Sequence, residues 1–198
     1  MTDPRLTGAV SDDAEPDSPA GIDIETVGSN LILDIDIRAT AWQPFIDDLR
    51  AHAAYLASAL SLPPIEVSLV LGDDALLAAL NADYRDKEGP TNVLSFPALD
   101  LVPEMDGAHG AGLFAGALLG DIVMSFDTLA REAQDGGISL TAHALHLFTH
   151  GMLHLLGHDH IDDGEAARME GLESKLLLAA GLNDPYASRD ADNAGSGA

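Results

Sequence analysis

The chain has no cysteine. That excludes disulfides and any zinc site built on thiolates, so a metal here must be held by histidine and carboxylate. Long apolar runs are also missing: none approaches the ~20 residues of a membrane span. The N-terminal stretch MTDPRLTGAVSDDAEPDSPAG is acidic and has no apolar h-region, so it does not read as a signal peptide, and a cytoplasmic protein is expected. Cations are scarce: 9 Lys and Arg stand against 33 Asp and Glu, for a formal net charge of −24. Seven acids and one arginine give residues 1–30 a charge of −6, residues 183–198 add −2, and residues 31–182 keep −16. This balance speaks against a generic nucleic-acid-binding surface, which works by neutralising phosphates with Lys and Arg.

The 198 residues suit one domain with some terminal excess. Residues 1–30, rich in Asp, Pro, Ser and Gly, read as an acidic disordered tail, and 183–198 as a flexible C-terminal tail. The folded domain is expected over 31–182. LILDIDI (31–37) alternates apolar residues with Asp and reads as a half-buried strand. A helix follows over about 40–60, with Thr40 as its cap and Pro44 in its first turn. Further strands are expected at 65–71, 93–97 and 118–125, and Asp73 starts a helix ending near Arg85. The Gly- and Ala-rich stretch 98–117 is long for a connection and reads as a mobile flap. A short helix from Phe126 closes on a Gly pair. Ser139 caps the next helix, Gly157 ends it, and a last helix runs over 162–182. Strands first and helices later give an α+β domain, with a four-stranded mixed sheet against about five helices.

What the chain does have is histidine in one place. Of its eight, six fall between 143 and 160, four of them in HGMLHLLGHDH (150–160). At 100° per residue, Leu145, Phe148, Met152, Leu155 and Leu156 share the core face of this helix, while His146, His150 and His154 form a separate stripe flanked by Leu147 and Leu153. His150 and His154 stand about 6 Å apart along the axis, so both imidazoles can converge on one ion. His146 and His154 are separated by about 12 Å of helix rise and cannot share one. A third ligand must come from chain that turns back after Gly157, where a positive φ is free of steric cost. His158 and His160 are the candidates. His52, His109 and His143 carry no motif and read as surface or hydrogen-bonded core residues.

The spacing His150-x3-His154-x2-Gly157-x2-His160 is that of the metzincin zinc peptidases. Their general-base glutamate follows the first histidine, and Gly151 stands there instead. The fuller string HGMLHLLGHDH resembles the H-G-x-L-H-L-x-G-x-D-H signature of the YbeY family of bacterial rRNA maturation factors. LNADYRDKEGPTNVLSFP (80–97) and LGDIVMS (119–125) resemble two further motifs of that family, in the family's order. The resemblance covers about 31–182. The 98–117 loop is longer and more glycine-rich than expected for the family, and the two tails have no place in its motifs.

The resemblance implies that His150, His154 and His160 bind one Zn2+, with His158 at a variable position. Nickel or another divalent metal would also accept three imidazoles. It further implies a single-strand-specific metallo-endoribonuclease, a hydrolase of phosphodiester bonds acting through zinc-activated water. Its implied role is small-subunit rRNA 3′-end maturation and ribosome quality control. The partners would be single-stranded rRNA within the small ribosomal subunit and ribosome-associated proteins, with no membrane. Arg85 falls on the family's arginine and is the catalytic candidate, able to clamp a phosphate bidentately. Lys87 is a weaker phosphate contact. Asp121 and Asp159 are carboxylates of matched motifs, each able to orient a ligand histidine, and Asp159 can instead cap the following turn. Thr91 and Asn92 read as turn residues. Two other readings stand: a ribosome-assembly binding factor with a structural zinc and little turnover, and a zinc metallopeptidase, which Gly151 disfavours. The acidity requires either a local positive field, from metal, Arg85 and Lys87, or an electropositive ribosomal partner.

Overall fold

The structure is a computed structural model that describes residues 22–27, 30–98, 115–160 and 162–187. The flap expected at 98–117, apart from its ends, and His109 lie outside those residues. Five strands form one sheet: β1 (Ile22–Val27), β2 (Leu31–Ile37), β3 (Ile65–Gly72), β4 (Val93–Pro97) and β5 (Ala117–Ser125), in the order β1-β2-β3-β5-β4. β2, β3 and β5 run parallel, while β1 and β4 are antiparallel edges. The α+β class and the four expected strands are present. The fifth, β1, comes from the stretch read as tail. Its IDIETV carries a period-two pattern that the acidic composition around it obscures, and it pairs with β2 as a hairpin.

Five helices pack on the sheet: α1 (Ile46–Ala59), α2 (Asp74–Arg85), α3 (Phe126–Gly136), α4 (Leu140–Leu155) and α5 (Asp163–Ala179). Thr40 does not cap α1. Residues Thr40–Phe45 form a 3-10 turn preceded by Ala39, which offers no side-chain cap. Pro44 explains the change: its ring nitrogen cannot donate to the carbonyl of residue 40, so the first α-type bond is missing. Asp73 and Ser139 start their helices as the sequence suggests, accepting from Leu76 N and Ala142 N, while Ser125 caps α3 and Asp162 caps α5, accepting from Thr128 N and Glu165 N.

The two faces of the sheet differ. Leu33, Ile35, Leu69, Ile122 and Met124 turn to the face covered by α1, α4 and α5, where Trp42, Leu49, Phe148, Met152 and Met169 fill the main core. Val123 and Leu94 turn to the other face, where Leu77 of α2 completes a smaller cluster. Asp74 fastens the start of α2 across the sheet end, accepting from Ser125 Oγ and Thr128 Oγ1 at 2.6 Å each and from Arg131 at 2.7 Å. Burial opposes its charge, but these donors hold its carboxyl at about 2.

Two glycines set how α4 lies on β4 and β5. Gly120 has φ 144°, and a Cβ there would meet Phe96 O at 2.2 Å and Leu155 Cδ2 at 3.0 Å. A Cβ on Gly151 would press on Ile122 Cγ2 at 3.0 Å and Ser95 Oγ at 3.2 Å. Position 151 therefore looks into the sheet. A glutamate there, as in a peptidase, would have no open path to the histidine stripe.

Candidate metal centre

The last turn of α4 builds the site. His150 and His154 project from one side of the helix, and the chain then reverses at Gly157, whose φ is 87°. His158 N donates to Leu153 O at 3.0 Å and Gly157 N to His154 O at 3.0 Å, closing the helix end. Asp159 Oδ1 accepts from His160 N at 2.8 Å, which bends the next residue back towards the helix. The three rings meet: centroids lie 4.6 Å apart for His150 and His154, 5.1 Å for His154 and His160, and 5.6 Å for His150 and His160. One ligand nitrogen from each lies within 4.8 Å of the others.

The hydrogen bonds behind the rings fix which nitrogen faces the centre. His154 Nδ1 donates to the carbonyl of His158 at 3.0 Å, and His150 Nδ1 faces Glu173 Oε2 at 3.4 Å. With both Nδ1 atoms turned to acceptors, the two Nε2 atoms confront each other at 3.1 Å. Two ring nitrogens so close are held together by a proton or a metal ion between them. Tetrahedral ligands at 2.0–2.1 Å from zinc stand about 3.3 Å apart, so the pair already has the spacing of a metal edge. Burial, and then the nearby His150 and His160, push the His154 imidazole down to about 4, so it is neutral and able to ligate at neutral pH. The donor set fits a borderline-soft divalent ion.

His158 serves through its carbonyl, while the group able to hold an ion among the described residues comprises His150, His154 and His160. His146 stands apart from that group, as its helix position requires. Its Nε2 lies 3.1 Å from Glu173 Oε1, within ion-pair distance but without hydrogen-bond geometry. Glu173 is the residue that sequence reasoning missed. It is 0% exposed, on the core-facing stripe of α5 with Met169, Leu176 and Leu177. A glutamate in an apolar stripe was the available signal, since buried carboxylates need partners. Burial resists its charge, yet His146, His150 and the Tyr186 hydroxyl hold its carboxyl at about 2. Tyr186 left no comparable trace, because residues 183–187 read as tail. In the structure Asp184 Oδ1 accepts from Ser174 Oγ at 2.8 Å and from Tyr186 N at 2.9 Å, fastening this stretch to α5.

The remaining candidates separate by sheet face. Arg85 is exposed in the last turn of α2 and makes no hydrogen bond or ion pair among the described residues. Its neighbour Tyr84 packs edge-on against Phe96 of β4 at 5.4 Å, while the adjoining Ser95 is the contact of Gly151 in α4. Arg85 and the histidines thus approach edge strand β4 from opposite faces. Asp121 pairs with Phe96 and Ser68 and shares the strand parity of Val123, so it lies on the α2 face and is not brought together with the histidines. Asp159 is brought to them, with its carboxylate engaged on the backbone of His160. Asn92 sets the start of β4, accepting from Val93 N at 2.7 Å and donating to Glu132 at 2.9 Å. His143 also meets Glu132, at 2.8 Å, and His52 is buried against Thr149 Oγ1 at 2.7 Å, as hydrogen-bonded core residues.

Residues 34–181 match the family model described as Endoribonuclease YbeY. The chain is 47% identical over 160 residues to an Endoribonuclease YbeY of Paramagnetospirillum magneticum, an alignment covering 77% of this chain and 93% of that one. It is 48% identical over 157 residues to the protein of the same description from Ruegeria pomeroyi, covering 76% and 93%. With the one from Parvibaculum lavamentivorans it shares 42% over 181 residues, covering 89% and 96%. Among solved structures it is similar to the solution structure of a Thermotoga maritima protein, with a TM-score of 0.51 and 19% identity over 73% of this chain and 85% of that one, a likeness of fold.

Proposed function

The chain belongs to the YbeY endoribonuclease family, and from that premise we propose that it is a metal-dependent endoribonuclease cleaving single-stranded rRNA on the small ribosomal subunit. Its work there is 3′-end maturation and ribosome quality control, in the cytoplasm. No helix among the described residues is long and apolar enough to cross a membrane. The observation that carries the reading is the confrontation of His150 Nε2 and His154 Nε2 at 3.1 Å, with His160 closing the group. Three imidazoles with no fourth protein ligand among the described residues leave a tetrahedral ion one open position, which favours a catalytic site over a structural one.

The ion is zinc in this reading. When bound, it supplies Lewis acidity and a nucleophile ionised near neutral pH. The chain's own residues do the rest. His150 and His154 present their Nε2 atoms to the ion because their Nδ1 atoms are engaged by Glu173 and the His158 carbonyl. Asp159 shapes the turn that delivers His160. Arg85, uncommitted to any acid among the described residues, reaches across the β4 edge to clamp a phosphate oxygen and stabilise charge that develops there. Residues 31–182 carry −16, so the ribosome rather than bare RNA supplies the electropositive surface for encounter.

The test compares wild type, His150→Ala and Arg85→Ala on small subunits that carry unprocessed rRNA. Both variants lose processing. Arg85→Ala keeps its fold and its zinc while slowing cleavage about 10²–10³-fold, the range for removing one donor to a developing charge. An Arg85→Ala protein that retains zinc and processes normally contradicts the assignment. A His150→Ala protein that lacks zinc and still supports processing points to a binding factor.

A further inference from the structure

The site has a second layer that extends beyond the residues matched by the family model, which end at 181. Tyr186 donates its hydroxyl to Glu173 Oε2 at 2.6 Å, the same oxygen that faces His150 Nδ1 at 3.4 Å. Its ring stands edge-on to His146, centroids 6.2 Å apart, and Glu173 Oε1 lies 3.1 Å from Nε2 of that imidazole. Glu173 is thus gripped from three directions in a place without solvent. A carboxylate on a helix can rotate about its side-chain bonds, and the rotation in the structure turns one oxygen to His150. The short Tyr186 bond selects it. Tyr186 is placed in turn by Asp184, whose Oδ1 holds both the Tyr186 backbone N–H and the Ser174 hydroxyl of α5.

We propose that Tyr186 is a positioning residue of the metal centre, acting through Glu173 on His150, so that the stretch 183–187 is part of the site. The inference rests on the metal reading of His150, His154 and His160. A histidine ligand whose other ring nitrogen is held by a carboxylate is fixed in tautomer and ring orientation, and more basic towards the ion. Glu173 supplies that carboxylate, and Tyr186 keeps it aimed. His146 completes the clamp from the far side of the carboxylate without entering the ligand group.

The experiment titrates metal-free full-length protein with Zn2+ against a chromophoric chelator, and with Co2+ while recording its d–d bands. The proteins are wild type, Tyr186→Phe and Glu173→Gln. Tyr186→Phe removes one oxygen and keeps the ring against His146. It is expected to weaken zinc binding about tenfold, the lower end of the range for supporting residues, and Glu173→Gln somewhat more. Both should shift the Co2+ bands, which report the ligand field and do not respond to a merely structural role. Circular dichroism of the metal-free proteins shows whether Tyr186→Phe folds, and Tyr186→Leu provides a second variant without the hydroxyl. Variants that bind Zn2+ within twofold of wild type, with an unchanged Co2+ spectrum, overturn the inference and leave the three-histidine site standing. A wild-type protein that binds neither ion removes that site and the inference together.

Discussion

The two faces of the sheet are built from the same strands and are organised differently. Under α4 lies the thick core, with Trp42, Phe148 and Met152 fully buried and two glycines setting how the helix rests on β4 and β5. Under α2 lies only the cluster of Leu77, Leu94 and Val123, beside a row of polar residues that includes Asp121. The difference matches what each side must hold. Metal ligands tolerate displacements of about 0.2 Å, so they need a helix that cannot shift. In the proposed function, Arg85 reaches a phosphate on a long flexible stem, from a helix that covers the smaller cluster. The larger core lies on the face whose helix carries His150 and His154.

The sharpest way to break this contrast is to remove a ligand. His154→Ala should lower zinc affinity by more than about 100-fold, beyond the range of supporting residues, and abolish cleavage with it. Asp121→Ala, on the other face, should leave zinc affinity within about twofold. Competition against a chelator measures both, and a comparable loss for Asp121→Ala would mean that the faces are not independent. The next effect is on stability. Phe148→Ala should cost about 3–5 kcal/mol and Leu77→Ala about 2–3 kcal/mol in chemical denaturation, because the smaller cluster can collapse around the lost volume. Only Phe148→Ala should weaken zinc binding as well. Equal losses of affinity would remove the distinction between a rigid and a yielding side.

A further difference concerns pH. Burial pushes His52 from the ordinary 6.5 down to about 4, and it sits under α4 against Thr149. The unfolded chain binds a proton at 6.5 that the folded chain refuses until about 4. Its contribution is therefore complete above pH 6.5 and lost as pH falls towards 4, amounting to roughly 3 kcal/mol. Glu173, held at about 2 against an ordinary 4.5, loses its contribution at lower pH still. Denaturation midpoints across pH 4–7 should fall with acid in wild type and be flatter in His52→Gln, which keeps a donor for Thr149. Parallel slopes would show that His52 is not the titrating group.

The sequence disclosed the site's first layer because that layer is local. An i, i+4 pair on a helix and a glycine that turns the chain need no tertiary knowledge, and the string through His160 completes the set. Four of the five strands and all five helices were legible for the same reason, through period and caps. What escaped was non-local or hidden by composition. The partners of Glu173 come together only once α5 lies against α4, and Tyr186 joins them only once Asp184 folds the following stretch onto α5. The 3-10 start before α1 followed from a bond that Pro44 cannot make, which its first-turn position concealed. Strand β1 was lost among acidic neighbours. The motif also joined residues that the fold separates: Asp121 matched as well as His154, yet strand parity sends it to the other face.

Anomalous diffraction at the zinc edge from zinc-loaded crystals would locate an ion in an open three-histidine site. One peak should appear, bounded by His150 Nε2, His154 Nε2 and a His160 nitrogen at about 2.0–2.1 Å, with the fourth position held by solvent. A peak elsewhere, or a fourth protein ligand closing the site, would contradict this arrangement.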